Sequence, residues 1–126
     1  MEMPLPDVLD RLSIAMLKAE RIGDSCFVGE VIAYNEAVRQ HIDAGLIKDT
    51  DVEECLSGLY HVNSQIWDLE ADIWLGKEGE LGLDEVGRRA LAIRGWNEKR
   101  VGYRNKVYEL TGLGFKDIKS NHASEK

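Results

Sequence analysis

Both prolines of the chain, Pro4 and Pro6, precede its first apolar-periodic stretch, so everything after them lacks the residue that a helix interior excludes. Glycine supplies the punctuation instead. Gly23, Gly45, Gly76 and Gly112 each follow apolar residues at helical spacing, where a helix commonly ends in a left-handed residue. Helix starts agree with these stops. Asp24 or Ser25 can cap a second helix, Thr50-Asp51-Val52-Glu53 has the form of a capping box for a third, and Asp84 can cap a fourth. The pattern predicts an all-α, up-and-down bundle of about four helices over 6–22, 25–44, 51–75 and 84–111, the last two long. Residues 77–83 read as a Gly-rich turn, and the end from about Lys119 as a polar, frayed tail. Two helices of roughly 37 and 42 Å could project or pair with another copy, so a homo-oligomer, most simply a dimer, is expected.

At 126 residues the chain fits one domain, 1–126, and a compact fold of that size buries roughly two thirds of the surface its unfolded form exposes. A net charge of -7 repels a phosphate backbone, which argues against nucleic acid and for a protein or small-molecule partner. No basic segment followed by an apolar stretch opens the sequence, and no apolar run approaches membrane-spanning length. The expectation is a cytoplasmic protein without a membrane partner. Cys26 and Cys55 form no close-spaced pair and stand near no Cys/His run at ligand spacing, so reduced, largely buried thiols are expected, with no metal and no cofactor.

The third segment carries an apolar stripe, Val52, Cys55, Leu59, Val62, Ile66, Leu69 and Ile73. Asn63 and Glu70 fall inside its arc, with Trp67 and Trp74 alongside, while Asp68 and Asp72 point away. In the fourth segment Val86, Ala90, Ile93, Asn97, Arg100, Arg104 and Val107 share a stripe whose centre is polar and basic, flanked by Trp96, Tyr103 and Tyr108. Gly87, Gly95 and Gly102 lie roughly opposite, loosening the helix or admitting another chain. Asn35 sits mid-stripe among Val28, Val31, Ile32, Val38 and Ile42 of the second segment. In the first, Leu9, Leu12, Met16 and Ala19 form an apolar face, and Asp7, Asp10, Arg11, Lys18 and Arg21 gather with Ile14 and Leu17 on a mixed one that another element could cover.

Burying an ion costs several kcal/mol of desolvation unless it is paired and hydrogen-bonded, so Glu70, Arg100 and Arg104 should meet one another, water or a ligand. Two arrangements satisfy them. In a structural network, Glu70 bridges one or both arginines and Asn35, Asn63 and Asn97 fix helix register. In a pocket, Arg100 and Arg104 present planar donor forks to a phosphate or carboxylate, with Trp67 or Trp96 as a stacking surface. His41 and His61 lie on polar faces and His122 in the tail, without partners at ligand spacing. The spacings assign no Ser-His-Asp or Cys-His arrangement, and no phosphate-binding glycine loop precedes a helix.

Three stretches, Pro6-Asp7-Val8-Leu9-Asp10-Arg11-Leu12-Ser13-Ile14 through Lys18-Ala19-Glu20-Arg21, Asn63-Ser64-Gln65-Ile66-Trp67-Asp68-Leu69-Glu70, and Asn97-Glu98-Lys99-Arg100, cover most of three helices. Together they resemble the signature stretches of a small uncharacterised bacterial and phage family: Asp-[Lys/Arg]-[Ile/Leu]-[Ser/Thr]-Ile ending in Lys-x-x-Arg, then Asn-x-x-Leu-Trp-Asp-x-Glu, then Asn-Asp-x-Arg. The chain departs from that pattern at Ala71, where the family has a second acid, and at Tyr108, where it has asparagine. The resemblance implies interest in Asp10, Lys18, Arg21, Asn63, Trp67, Glu70, Asn97 and Arg100. It implies no activity, because the family is a domain of unknown function.

The expected function is a helical binding or interaction module whose internal Asn/Glu/Arg cluster, Arg104 included, is structural or holds an anionic small molecule. The alternative is a hydrolase similar to the all-helical nucleoside-triphosphate pyrophosphatases, which hold magnesium with Glu-x-x-Glu and Glu-x-x-Asp pairs. Acids at a spacing of three occur here only as Asp7 with Asp10 and Asp51 with Glu54, near helix starts, where acids are expected for dipole reasons. A regulatory adaptor also fits the acidic surface.

Overall fold

The structure is a computed structural model that describes residues 3–112; the expected polar tail and His122 lie outside the described residues. The described residues form helices and no strands: α1 Leu5–Arg21, α2 Ser25–Asp43, α3 Asp49–Trp74, α4 Glu78–Leu81 and α5 Leu83–Thr111. Five helices therefore stand where about four were expected. The addition is the one-turn α4, inside the expected 77–83 turn, where the backbone amides of Glu80 and Leu81 both bond the Lys77 carbonyl at 3.0 Å. Gly82, at φ +83°, separates that turn from α5.

The four helix-ending glycines adopt the left-handed backbone, at φ +78°, +75°, +74° and +68°. At the ends of α2 and α3 the amides of Leu46 and Lys77 reach back to the carbonyls of His41 and Asp72, at 3.1 and 3.0 Å. These bonds satisfy carbonyls that the helix would otherwise leave orphaned. Of the expected starts, Asp24 caps α2, its carboxylate accepting from the Cys26 amide at 3.0 Å. The other two differ. Helix α3 begins at Asp49 behind Lys48, and α5 at Leu83 behind Gly82, neither with a side-chain cap. Asp49, Asp51, Asp84 and Glu85 instead sit in the first turns, where the helix dipole favours negative charge.

Helix α1 packs against α2, α3 and α5, and α3 against α5. Because α1 lies between neighbours, Leu5, Val8, Leu9, Leu12, Ala15 and Leu17 are all buried, although they do not share one face. Ala37 and Val38 of α2, Ile47, Val52, Cys55 and Leu59 complete the main cluster with Val107 of α5. The α3 stripe is buried from Val52 to Ile66, whereas Leu69 and Ile73 are half-buried. Cys26 is exposed, in contrast to the expected buried thiol, as are Asn35, Val28 and Ile32, because α2 turns Ala37 and Val38 towards α1. Towards the far end of the α3–α5 pair a polar clasp takes over. Arg89 lies 3.7 Å from Asp72 and 3.4 Å from the Leu69 carbonyl, and bonds Glu85 at 2.7 Å. No helix is long and apolar enough among the described residues to cross a membrane.

Two kinds of glycine lie within the long helices. A Cβ at Gly58 of α3 would overlap the Tyr103 ring of α5, so this glycine permits close contact, whereas Gly87, Gly95 and Gly102 face open space. Gly58→Ala is expected to destabilise by about 1–3 kcal/mol through overpacking, and Gly95→Ala to stabilise by about 0.5–1 kcal/mol. Urea unfolding followed by circular dichroism measures both, and equal effects would contradict this packing.

Candidate functional site

Asp10 is one turn into α1, on its mixed face, with a side chain only 3% exposed. Three helices converge on it. From α1 itself, the Ser13 hydroxyl donates to the Asp10 carbonyl at 2.6 Å. From α3, Asn63 Nδ2 donates to Asp10 Oδ1 at 3.0 Å and to Ser13 Oγ at 2.8 Å. From α5, Arg100 Nε lies 3.0 and 2.9 Å from the two Asp10 oxygens, and Nη2 donates to Oδ2 at 2.7 Å. Arg104, one turn further on, approaches Oδ2 at 3.4 Å and bonds Asp7. Spacings of three on α1 and four on α5 place these charges opposite one another, so the arginines cover the mixed face of α1.

This corrects the expected network, in which Glu70 was to bridge the arginines. Asp10 takes that role because it lies in the central helix, between both partners. Glu70 on α3 is near enough for Arg100 to oppose its pKa shift, but makes no hydrogen bond among the described residues; burial pushes its carboxyl up from the usual value, the larger influence. Asn63 is the buried asparagine of the three expected; Asn35 is exposed, Asn97 half-buried, and neither side chain hydrogen-bonds among the described residues.

Two clefts flank the ion-pair cluster, and Ile14, Lys18 and Arg100 border both. The first, of about 460 Å³, is polar: Arg11, Lys18, Arg100 and Arg104 face it together with Asp7, Asp10 and Glu30. The second, of about 380 Å³, is walled by Leu17, Ile22, Ile66, Trp67 and Trp74, with Asn63 and Glu70 as further polar groups. Trp67 and Trp74 meet edge to face, with centroids 5.7 Å apart. Lys18 Nζ is 5.5 Å from the Phe27 ring and has no carboxylate partner among the described residues.

Of the residues singled out from sequence, Asp10, Lys18, Asn63, Trp67, Glu70, Arg100 and Arg104 line one cleft or the other. Arg21 and Asn97 line neither. Arg21 pairs with exposed Asp68 and sits 6.0 Å from the Trp67 ring. Trp96, the other stacking candidate, lies apart, edge-on to His61 at 5.5 Å and beneath Lys99 at 4.4 Å. Ser13 and Ile14 were not singled out as site residues. Their positions three and four residues after Asp10 on α1 are the signal that points to them.

The acid pair at a spacing of three, Asp7 and Asp10, is engaged by the two arginines, while Glu54 bonds Lys106 at 2.6 Å. No group of three or more His, Cys, Asp or Glu side chains among the described residues is placed to hold a metal ion. Comparison with protein-family models, curated proteins and solved structures finds no match to this chain.

Removing one partner of a buried ion pair leaves the other uncompensated. Arg100→Met is expected to cost about 3 kcal/mol, and adding Asp10→Leu to cost less than the sum of the single changes, with a coupling of about 1–3 kcal/mol. Additive losses in chemical denaturation would show the pair to be independent. Glu70 has a second consequence. A carboxyl with a raised folded-state pKa favours the fold when protonated, and that contribution is lost as pH rises from the ordinary value of 4.5 through the raised one. Glu70→Gln should therefore stabilise at neutral pH, with the advantage disappearing below pH 4.5, as measured by thermal melts across pH.

Proposed function

We propose that the chain is a cytoplasmic helical binding module, an up-and-down bundle acting as a homo-oligomer, that holds a small anionic molecule where the two clefts meet. The observation that carries this reading is Lys18. Its side chain borders both clefts and has no carboxylate partner among the described residues; Arg100, which also borders both, has an Nη1 that makes no hydrogen bond among them. In a chain of net charge -7, the polar cleft gathers four cationic side chains against three carboxylates. Local charge of that sign attracts an anion that the rest of the surface repels. Trp67 beside this junction offers a flat apolar wall for the body of such a molecule. The oligomeric part is supported by Trp74, Leu75, Leu83 and Leu91, large apolar side chains exposed near the far end of the α3–α5 pair.

Thermal unfolding with inorganic phosphate, carboxylates, sugar phosphates and nucleotides tests the binding. A ligand at a hundredfold excess over its Kd stabilises by about 2.7 kcal/mol, several degrees for a domain of this size. Lys18→Gln should lower the unliganded midpoint only slightly, since Lys18 makes no ion pair among the described residues and gives up only its place over the Phe27 ring, and should lose most of the shift. Silence of the whole panel on the unmodified protein would remove the proposal.

A further inference from the structure

The apolar cleft presents both signs of hydrogen-bonding group. On the donor side, Arg100 commits Nε and Nη2 to Asp10 and leaves Nη1, and Lys18 also lines the cleft. On the acceptor side, Asn63 commits Nδ2 to Asp10 and Ser13, leaving Oδ1 without a hydrogen bond among the described residues. Glu70 adds a carboxylate in the same state. Resting on the reading that these clefts bind a small anion, we infer that the Trp67–Trp74 cleft takes a zwitterion with an apolar body, of the class of the apolar α-amino acids. Its carboxylate meets Lys18 and Arg100, its ammonium meets Glu70 and Asn63 Oδ1, and its side chain lies against Leu17, Ile66 and the two tryptophans.

Other ligand classes fit the same groups less well. A simple anion leaves Glu70 facing a second negative charge or empty of a partner. A simple cation meets Lys18 and Arg100. An apolar molecule without charge leaves all four polar groups unmet, which is costly where it displaces their water. A zwitterion satisfies donors and acceptors together, and the tryptophan faces add attraction for its ammonium end. A cavity of about 380 Å³ has room for a side chain as large as an aromatic ring. The raised pKa of Glu70 fits too, because an ammonium beside it restores the ionised form.

Titration calorimetry with L-phenylalanine, 3-phenylpropionate and 2-phenylethylamine tests the inference, because each of the latter two lacks one charged group of the first. L-phenylalanine is expected to bind at least about tenfold tighter than either. Glu70→Gln should weaken L-phenylalanine by about tenfold and should not weaken 3-phenylpropionate, which no longer faces a second negative charge. Affinity for L-phenylalanine should fall as pH drops through the raised pKa of Glu70. If 3-phenylpropionate binds as tightly as L-phenylalanine, the zwitterion is wrong while the anion site stands. If 2-phenylethylamine binds tightest, both fail. If none of the three binds, the inference falls, and the phosphate and nucleotide panel alone decides the anion reading.

Discussion

A carboxylate buried in the central helix sets the terms for everything packed around it. Asp10 cannot be left without donors in an interior that penalises an uncompensated charge by several kcal/mol. Its donors come from two other helices, Asn63 of α3 and Arg100 of α5. Meeting both fixes how far each of those helices can slide or rotate against α1. Hydrophobic contacts tolerate small shifts in register, but a guanidinium aligned on two carboxylate oxygens does not. The same commitment decides what the site has to offer. Arg100 is held by one edge, through Nε and Nη2, and this fixes its guanidinium where its side chain borders both clefts.

Dry and polar packing divide the molecule lengthwise. Near Leu5, Leu9, Cys55, Leu59 and Val107 the helices share a buried core. Beyond Ile66 the α3–α5 pair is held by half-buried residues and by Arg89 of α5 against Asp72 and the Leu69 carbonyl of α3, while Glu85, on the same helix as Arg89, has its carboxyl lowered to about 2 by the hydrogen bonds it accepts from Arg88 and Arg89. The Trp-lined cleft lies at this boundary. Its floor is formed by buried Ile66 and Leu17 and its outer wall by the exposed Trp74.

What could be read from the residues follows from what helical periodicity encodes. The α3 stripe from Val52 to Ile66 and the left-handed glycines are local properties of one segment, and both were legible. Periodicity also selected Asn63, Glu70, Arg100 and Arg104, because it reports which side chains share a face. It does not report which helix covers that face. Glu70 and Asp10 were therefore equally available partners for Arg100, and only the central place of α1 distinguishes them. The caps expected at Thr50 and Asp84 failed for a related reason: helices begin where tertiary packing first holds them, and a good capping residue one or two positions inside is simply absorbed. Gly58 had no signal in the sequence at all, since its role is defined by Tyr103, 45 positions away.

The distance along the chain between Asp10 and Arg100 also gives the fold a direction in time. The two are separated by 90 residues, so α1 and α2 leave the ribosome as a pair that already contains the carboxylate but not its guanidinium. Until α5 is made, Asp10 has Asn63 at most and no guanidinium to balance its charge, which opposes full burial of α1 in any partial core. Premature collapse around the wrong neighbour is thereby discouraged, because it would bury a charge that has not yet met its partner. Helix α5 is thus the one that lets α1 become interior.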